Sequence, residues 1–134
     1  ADDSGITAHA LVTEPGVHSA RYSGKKSDDA ANNAKLVERL SEFEDKSAHY
    51  TCVLVAVRSH DDPDPIVCEG CWYGEIIASP KGNGGFGYDP HFYLPEQGCT
   101  AAELSAEEKN RLSHRGKAMR LLLTEMQERW GVGR

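Results

Sequence analysis

Two long apolar stretches flank a cluster of prolines and aspartates, and they limit the possible folds more than any other part of the chain. Residues 49–58 read HYTCVLVAVR, rich in β-branched and apolar side chains, and predict a strand in the middle of a sheet. Residues 61–65, DDPDP, are preset for a turn. Residues 66–78 predict the returning strand. Together they make an antiparallel hairpin, long by the usual standard of roughly 5–6 residues per strand.

The remaining pattern supplies further strands and the helices that cover them. In residues 6–12, ITAHALV, Ile6, Ala8, Ala10 and Val12 alternate with Thr7, His9 and Leu11, a half-buried strand. Gly5 reads as a turn before it, and Glu14-Pro15-Gly16 breaks it. Residues 17–24 read as a loop or short helix. Ser27-Asp28-Asp29 has the character of a helix N-cap region. From 30 to 43, Ala34, Val37, Leu40 and Ser41 recur at helical spacing, with Leu36 and Phe43 beside them. Residues 91–94 predict a short strand, 100–104 one helical turn, and Ser105 with Glu108 a capping box. Ser113 caps a final helix to about residue 130. Its stripe of Ala118, Leu122 and Met126, with Met119, Leu123 and Trp130 alongside, is expected to pack on the sheet. The reading is a single α/β (α+β) domain over 1–134, with a largely antiparallel or mixed sheet and few helices.

Composition removes several functions. No run approaches the roughly 18 apolar residues of a membrane span, and the acidic start ADDSG has no basic leader region. The net charge of −6 argues against a nucleic-acid binder but leaves room for a small anion held by local cations. The chain has no initiator Met and opens straight into a dense polar motif, which suggests that sequence is missing upstream. Of the four cysteines, Cys68 and Cys71 form a lone CxxC inside a predicted strand. Side chains three apart on a strand face opposite ways, so the pair does not suit a shared metal, and free thiols in a reducing, cytoplasmic setting are expected.

Three segments carry candidate chemistry. Residues 82–90, GNGGFGYDP, place four glycines around Phe86, followed by Tyr88 and Asp89. Such a loop either cradles a ligand, with backbone N–H groups, a stacking face at Phe86 and an acceptor at Asp89 on the rim, or is a glycine hairpin with Phe86 plugging the core. Asp2-Asp3-Ser4-Gly5 either offers a carboxylate for Mg²⁺ or for a water nucleophile, or is an acidic terminus. Residues 109–116, KNRLSHRG, set Lys109, His114 and Arg115 beside a helix start, where anions gather, or form a solvated basic face.

Taken in order, DDSG, SARYSG, GGFGYDP and EEKNRLSHRG resemble the inosine/xanthosine triphosphate pyrophosphatases over essentially the whole chain. That family hydrolyses the aberrant purine nucleoside triphosphates ITP, dITP and XTP to the monophosphate and pyrophosphate. The resemblance implies Asp3 as general base and Mg²⁺ ligand, with Ser4 touching substrate. It implies Phe86, Gly87, Tyr88 and Asp89 as the base-binding loop, and Lys109, His114 and Arg115 as the group that recognises the 6-keto oxygen. It further implies an elongated mixed sheet flanked by helices, a nucleotide cleft between two lobes, and a homodimer. The family's phosphate-binding loop of the TGN-then-Lys kind, and its further metal-binding Glu, have no counterpart here. The chain therefore reads as the C-terminal two-thirds of such an enzyme, inactive alone, with activity expected of the complete protein. Two other readings remain: a catalytically dead nucleotide-binding or dimerisation module, and a plain α/β interaction domain.

Overall fold

The structure, a computed structural model, describes residues 2–12, 14–16, 19–24 and 28–131. The predicted hairpin is its spine. Strand β3 (Ser47–Ala56) pairs with β4 (Ile66–Ile76) through ten consecutive partners, from Ser47 opposite Glu75 to Ala56 opposite Ile66. β1 (Asp2–Ala8) and β2 (Pro15–Gly16) extend the sheet on the β3 side, and β5 (Phe92–Leu94) and β6 (Cys99–Thr100) on the β4 side. Among the described residues the order is β2-β1-β3-β4-β5-β6, with every ladder antiparallel. The α+β class stands; of the two sheet types expected, the antiparallel one is found, and not the mixed one.

Alternation along β3 decides where the core lies. Ala48, Tyr50, Cys52 and Leu54 are buried, while their odd-numbered neighbours are half-buried. Ala48 and Tyr50 join a cluster with Ile6, Trp72 and Phe92 that is closed by Leu36 and Leu40 of helix α1 (Asp29–Leu40). Cys52 and Leu54 pack with Ala118 and Leu122 of helix α3 (His114–Trp130). Both clusters draw on the same face of β3, so α1 and α3 cover one side of the sheet. Helix α2 (Ala106–Leu112) leads into α3. Its Ser105–Glu108 capping box forms as expected, and Ser113 Oγ accepts the Gly116 N–H at 3.0 Å to start α3.

Several local expectations are corrected. The first strand begins at Asp2 and ends at Ala8. Gly5 is not a turn but lies mid-strand opposite Thr51, where a Cβ would stand 2.6 Å from the Gly16 carbonyl oxygen. His9–Leu11 is a 3-10 turn, and Val12 is 78% exposed rather than inward-facing. On α1 the buried line is Asn32, Asn33, Leu36 and Leu40; Ala34 and Phe43 are exposed. Asn32 tolerates burial because its amide bonds backbone: it accepts the Ser23 N–H at 2.8 Å and donates to Ala20 O at 3.2 Å. Ser27 and the loop residues Val17 and His18 lie outside the described residues. Cys68 is buried and Cys71, on the opposite face, is half-buried; both are free thiols.

Met119 and Leu123, expected near the packed stripe of α3, are 42% and 53% exposed. The reason is Gly70 on β4. A Cβ there would stand 2.2 Å from His114 O and 2.7 Å from Ala118 N, so the helix rests directly on the strand along one narrow line. Gly70→Ala is expected to lift the start of α3 and cost about 1–3 kcal/mol, the usual scale for overpacking. A urea-unfolding midpoint equal to wild type would show that the contact tolerates a methyl group.

Candidate functional site

The glycine loop between β4 and β5 carries its aromatic outward. Phe86 is 72% exposed, which excludes the core-plug reading. Gly82, Gly85 and Gly87 all have φ between +59° and +91°, the region glycine takes without strain. At Gly85 a side chain would also meet the Asp89 carboxylate at 2.3 Å.

Asp89 corrects the expected acceptor on the rim. It is 2% exposed and lies under the loop. Its Oδ2 accepts the Phe86 N–H at 2.9 Å and pairs with Lys109 Nζ at 2.5 Å; its Oδ1 accepts the Tyr50 hydroxyl at 3.0 Å. With both oxygens engaged, the carboxylate organises the loop from beneath and does not wait at its surface for a base edge. Lys109 also stands 4.2 Å from the centroid of the Phe86 ring, a cation over an aromatic face.

The opposite wall comes from β1, backed by the start of α3. His114 is buried, lies parallel to Tyr50 with ring centroids 4.6 Å apart, and shares a 2.8 Å hydrogen bond between Nε2 and Ser4 Oγ. Tyr88 is buried and donates to Ser19 O at 2.6 Å. Burial raises the Tyr88 phenol above its ordinary value; at Tyr50, burial first and the Asp89 carboxylate second do the same. Both hydroxyls therefore remain donors across the neutral range. Ser4, Ser19, Tyr50, Phe86 and Tyr88 line a hollow of about 330 Å³, the volume scale of a small-molecule site.

Asp3 and Ser4 are adjacent on β1 and so face opposite sides of the sheet. Asp3 is exposed and lines a neighbouring hollow of about 230 Å³ with Thr51 and Val53. The two hollows share Ser4 and Gly5. Arg115 is exposed in the first turn of α3, beside His114 in sequence. Of the predicted residues, Ser4, Phe86, Gly87 and Tyr88 line the hollow; Asp89, Lys109 and His114 stand behind it through their contacts with Phe86, Tyr50 and Ser4; Asp3 lines the adjoining hollow, and Arg115 lines neither. Among the described residues no three His, Cys, Asp or Glu side chains converge as a metal site. For Mg²⁺, Asp3 offers one hard oxygen donor, which fits an ion held mainly by substrate phosphates and water.

Sequence reasoning missed Tyr50, Ser19, Asp29 and Asn33. Tyr50 read only as part of an apolar strand, although its hydroxyl is the polar tip that meets Asp89. Asp29 and Asn33 carried a usable signal, four residues apart on one helix face.

The Ham1 family profile matches residues 1–125. The chain is 59% identical over 129 residues to the dITP/XTP pyrophosphatase of Ralstonia nicotianae, covering 94% of the chain and 64% of that protein. It is 59% identical over 128 residues to the Nitrosomonas europaea protein of the same name, covering 96% and 63%. Its fold is similar to a HAM1 protein from Coxiella burnetii, with a TM-score of 0.91 and 48% identity over 96% of this chain and 66% of that one. The Staphylococcus aureus Ham1 protein is similar at a TM-score of 0.88 and 42% identity, over 95% and 65%. The chain thus spans a little under two-thirds of the length of the curated relatives it matches.

Proposed function

We propose a function from one firm premise: the chain belongs to the Ham1 family. The complete protein hydrolyses the aberrant purine nucleoside triphosphates ITP, dITP and XTP. Water attacks the α-phosphorus, the bond to the β-phosphate oxygen breaks, and the products are the nucleoside monophosphate and pyrophosphate. The names of the relatives support the activity. What supports the site is the exposed Phe86 ring at a hollow whose other wall includes Ser4, held from behind by His114.

In this reading the purine stacks on Phe86, a contact worth about 1–3 kcal/mol per base. The resemblance assigns Lys109, His114 and Arg115 as donors for the 6-keto oxygen, and Lys109 already stands at the Phe86 ring. A 6-amino group would leave such donors facing another donor, and each unmet buried group costs roughly 1–3 kcal/mol. The ribose passes Ser4 and the phosphates cross β1 toward Asp3, which takes the proton from the attacking water. Mg²⁺, when bound through Asp3 and the phosphates, would neutralise phosphate charge. The resemblance also carries a homodimeric, cytoplasmic enzyme into the proposal; no helix among the described residues is long and apolar enough to cross a membrane.

The test is hydrolysis by the complete protein with Mg²⁺. ITP and XTP should yield monophosphate and pyrophosphate, while ATP is cleaved far more slowly. Phe86→Ala should weaken inosine monophosphate binding about 5- to 150-fold, the equivalent of the stacking energy. If the complete wild type releases no pyrophosphate yet binds the monophosphate, the dead binding module replaces the enzyme. If it binds nothing, the interaction domain does.

A further inference from the structure

The loop that presents Phe86 is thin-walled. Asp29, Phe86 and Gly87 line the 330 Å³ hollow on one side and also a larger one, about 720 Å³, on the other. Here the loop has space on both sides, so apart from the Lys109 ammonium over its ring, side-chain packing does little to set the direction of Phe86. Hydrogen bonds must set it, and two of them come from a helix that contributes nothing else to the site. The Gly87 N–H donates to Asp29 Oδ2 at 3.1 Å, and the Gly87 carbonyl accepts from Asn33 Nδ2 at 2.9 Å. Both polar groups of one glycine backbone are thereby held by side chains one helical turn apart.

The clamp is itself braced. Asn33 is 7% exposed, and its Nδ2 also donates to the Asp29 carbonyl at 3.0 Å, which ties the two members together. Asp28 caps the helix by accepting the Ala31 N–H at 3.1 Å, so the first turn that bears Asp29 is anchored. Gly87 sits at φ +59°, with no atom within 4 Å of where a Cβ would lie. Without the two bonds the loop here would keep only the turn bond from the Asp89 N–H to Phe86 O, at 3.1 Å, and the Phe86 N–H bond to Asp89, with no steric contact at Gly87 to hold its backbone angle.

We propose that Asp29 and Asn33 are positioning residues for purine binding: α1 grips Gly87 and so fixes the stacking face of Phe86. The proposal rests on the nucleotide reading of the site, but one of its tests does not. In the complete protein, Asp29→Ala and Asn33→Ala should each speed amide exchange across residues 84–88, with or without nucleotide. Each should raise KM for ITP about three- to tenfold, the scale of one lost hydrogen bond, while kcat changes less than twofold because Asp3 and the phosphate path are untouched. Asp29→Asn keeps an oxygen that accepts the Gly87 N–H and should restore both readouts. Unchanged exchange in both alanine variants would overturn the proposal, as would a fall in kcat that matches the rise in KM. Should the wild type cleave no triphosphate, the function above fails while exchange still decides the clamp.

Discussion

Asp89→Ala is expected to lower the unfolding free energy of the complete protein by roughly 3–5 kcal/mol, the cost of removing one partner from a buried ion pair. The Asp89 side chain is 3% exposed, and it answers three donors: Lys109 Nζ, the Phe86 N–H and the Tyr50 hydroxyl. Tyr50 cannot escape by ionising, since burial and the facing carboxylate push its phenol up, nor by moving, since His114 is stacked on its ring. Its hydroxyl would be left dry and unmatched, at about 1–3 kcal/mol. Lys109 is 19% exposed and can turn toward water, which holds the total near the lower end of the range. The Phe86 N–H would lose its acceptor, so base binding should weaken along with stability. Asp89→Asn separates charge from shape: its amide oxygen can still accept from Tyr50, but its NH₂ would face the Phe86 N–H and Lys109. That variant should lose about half as much. Urea unfolding of the three proteins decides the matter; an alanine variant within about 1 kcal/mol of wild type would mean that Asp89 does not hold the loop.

The contrast between Asp89 and Phe86 shows what a one-dimensional pattern can convey. Both belong to a run of glycines, aromatics and an acid that announces a ligand loop, and the ring does face outward. Which way the acid turns depends on Tyr50 and Lys109, 39 and 20 residues away in the chain. The central hairpin was legible from its apolar content and its DDPDP turn: β3 and β4 formed in the expected places, and their buried positions fall on one face. Long-range polar contacts were not. Asn32 and Asn33 broke the apolar stripe expected of α1: both groups of the Asn32 amide bond backbone, and the Asn33 NH₂ bonds two carbonyls. Gly5 reads as a turn and Gly70 gives no signal in the sequence, yet each lets another chain segment approach, the Gly16 carbonyl at Gly5 and the start of α3 at Gly70. The family was legible through resemblance to relatives, not through spacing. Spacing alone left the loop divided between a cradle and a plug.

Asp3→Asn should reduce kcat for ITP by about 10²–10⁴, the range over which a positioned general base contributes. The geometry behind this is the passage from one hollow to the next. The base hollow and the Asp3 hollow share Ser4 and Gly5, and strand alternation turns Asp3 toward the side where Thr51 and Val53 form the floor. A nucleotide whose base lies against Phe86 and whose ribose passes Ser4 must carry its phosphates over β1 to that side. Asparagine has nearly the same shape as aspartate, so the strand and the hollow are retained. What disappears is the capacity to take a proton from water, together with the negative charge a divalent ion would meet. Binding of inosine monophosphate should therefore change less than threefold, because its main contacts lie on the Phe86 side. Mg²⁺ titration of the residual activity should shift to higher concentration. A variant that retains more than about a third of the wild-type kcat would remove Asp3 from the chemistry. The base would then have to be sought among groups that reach the phosphate path from elsewhere.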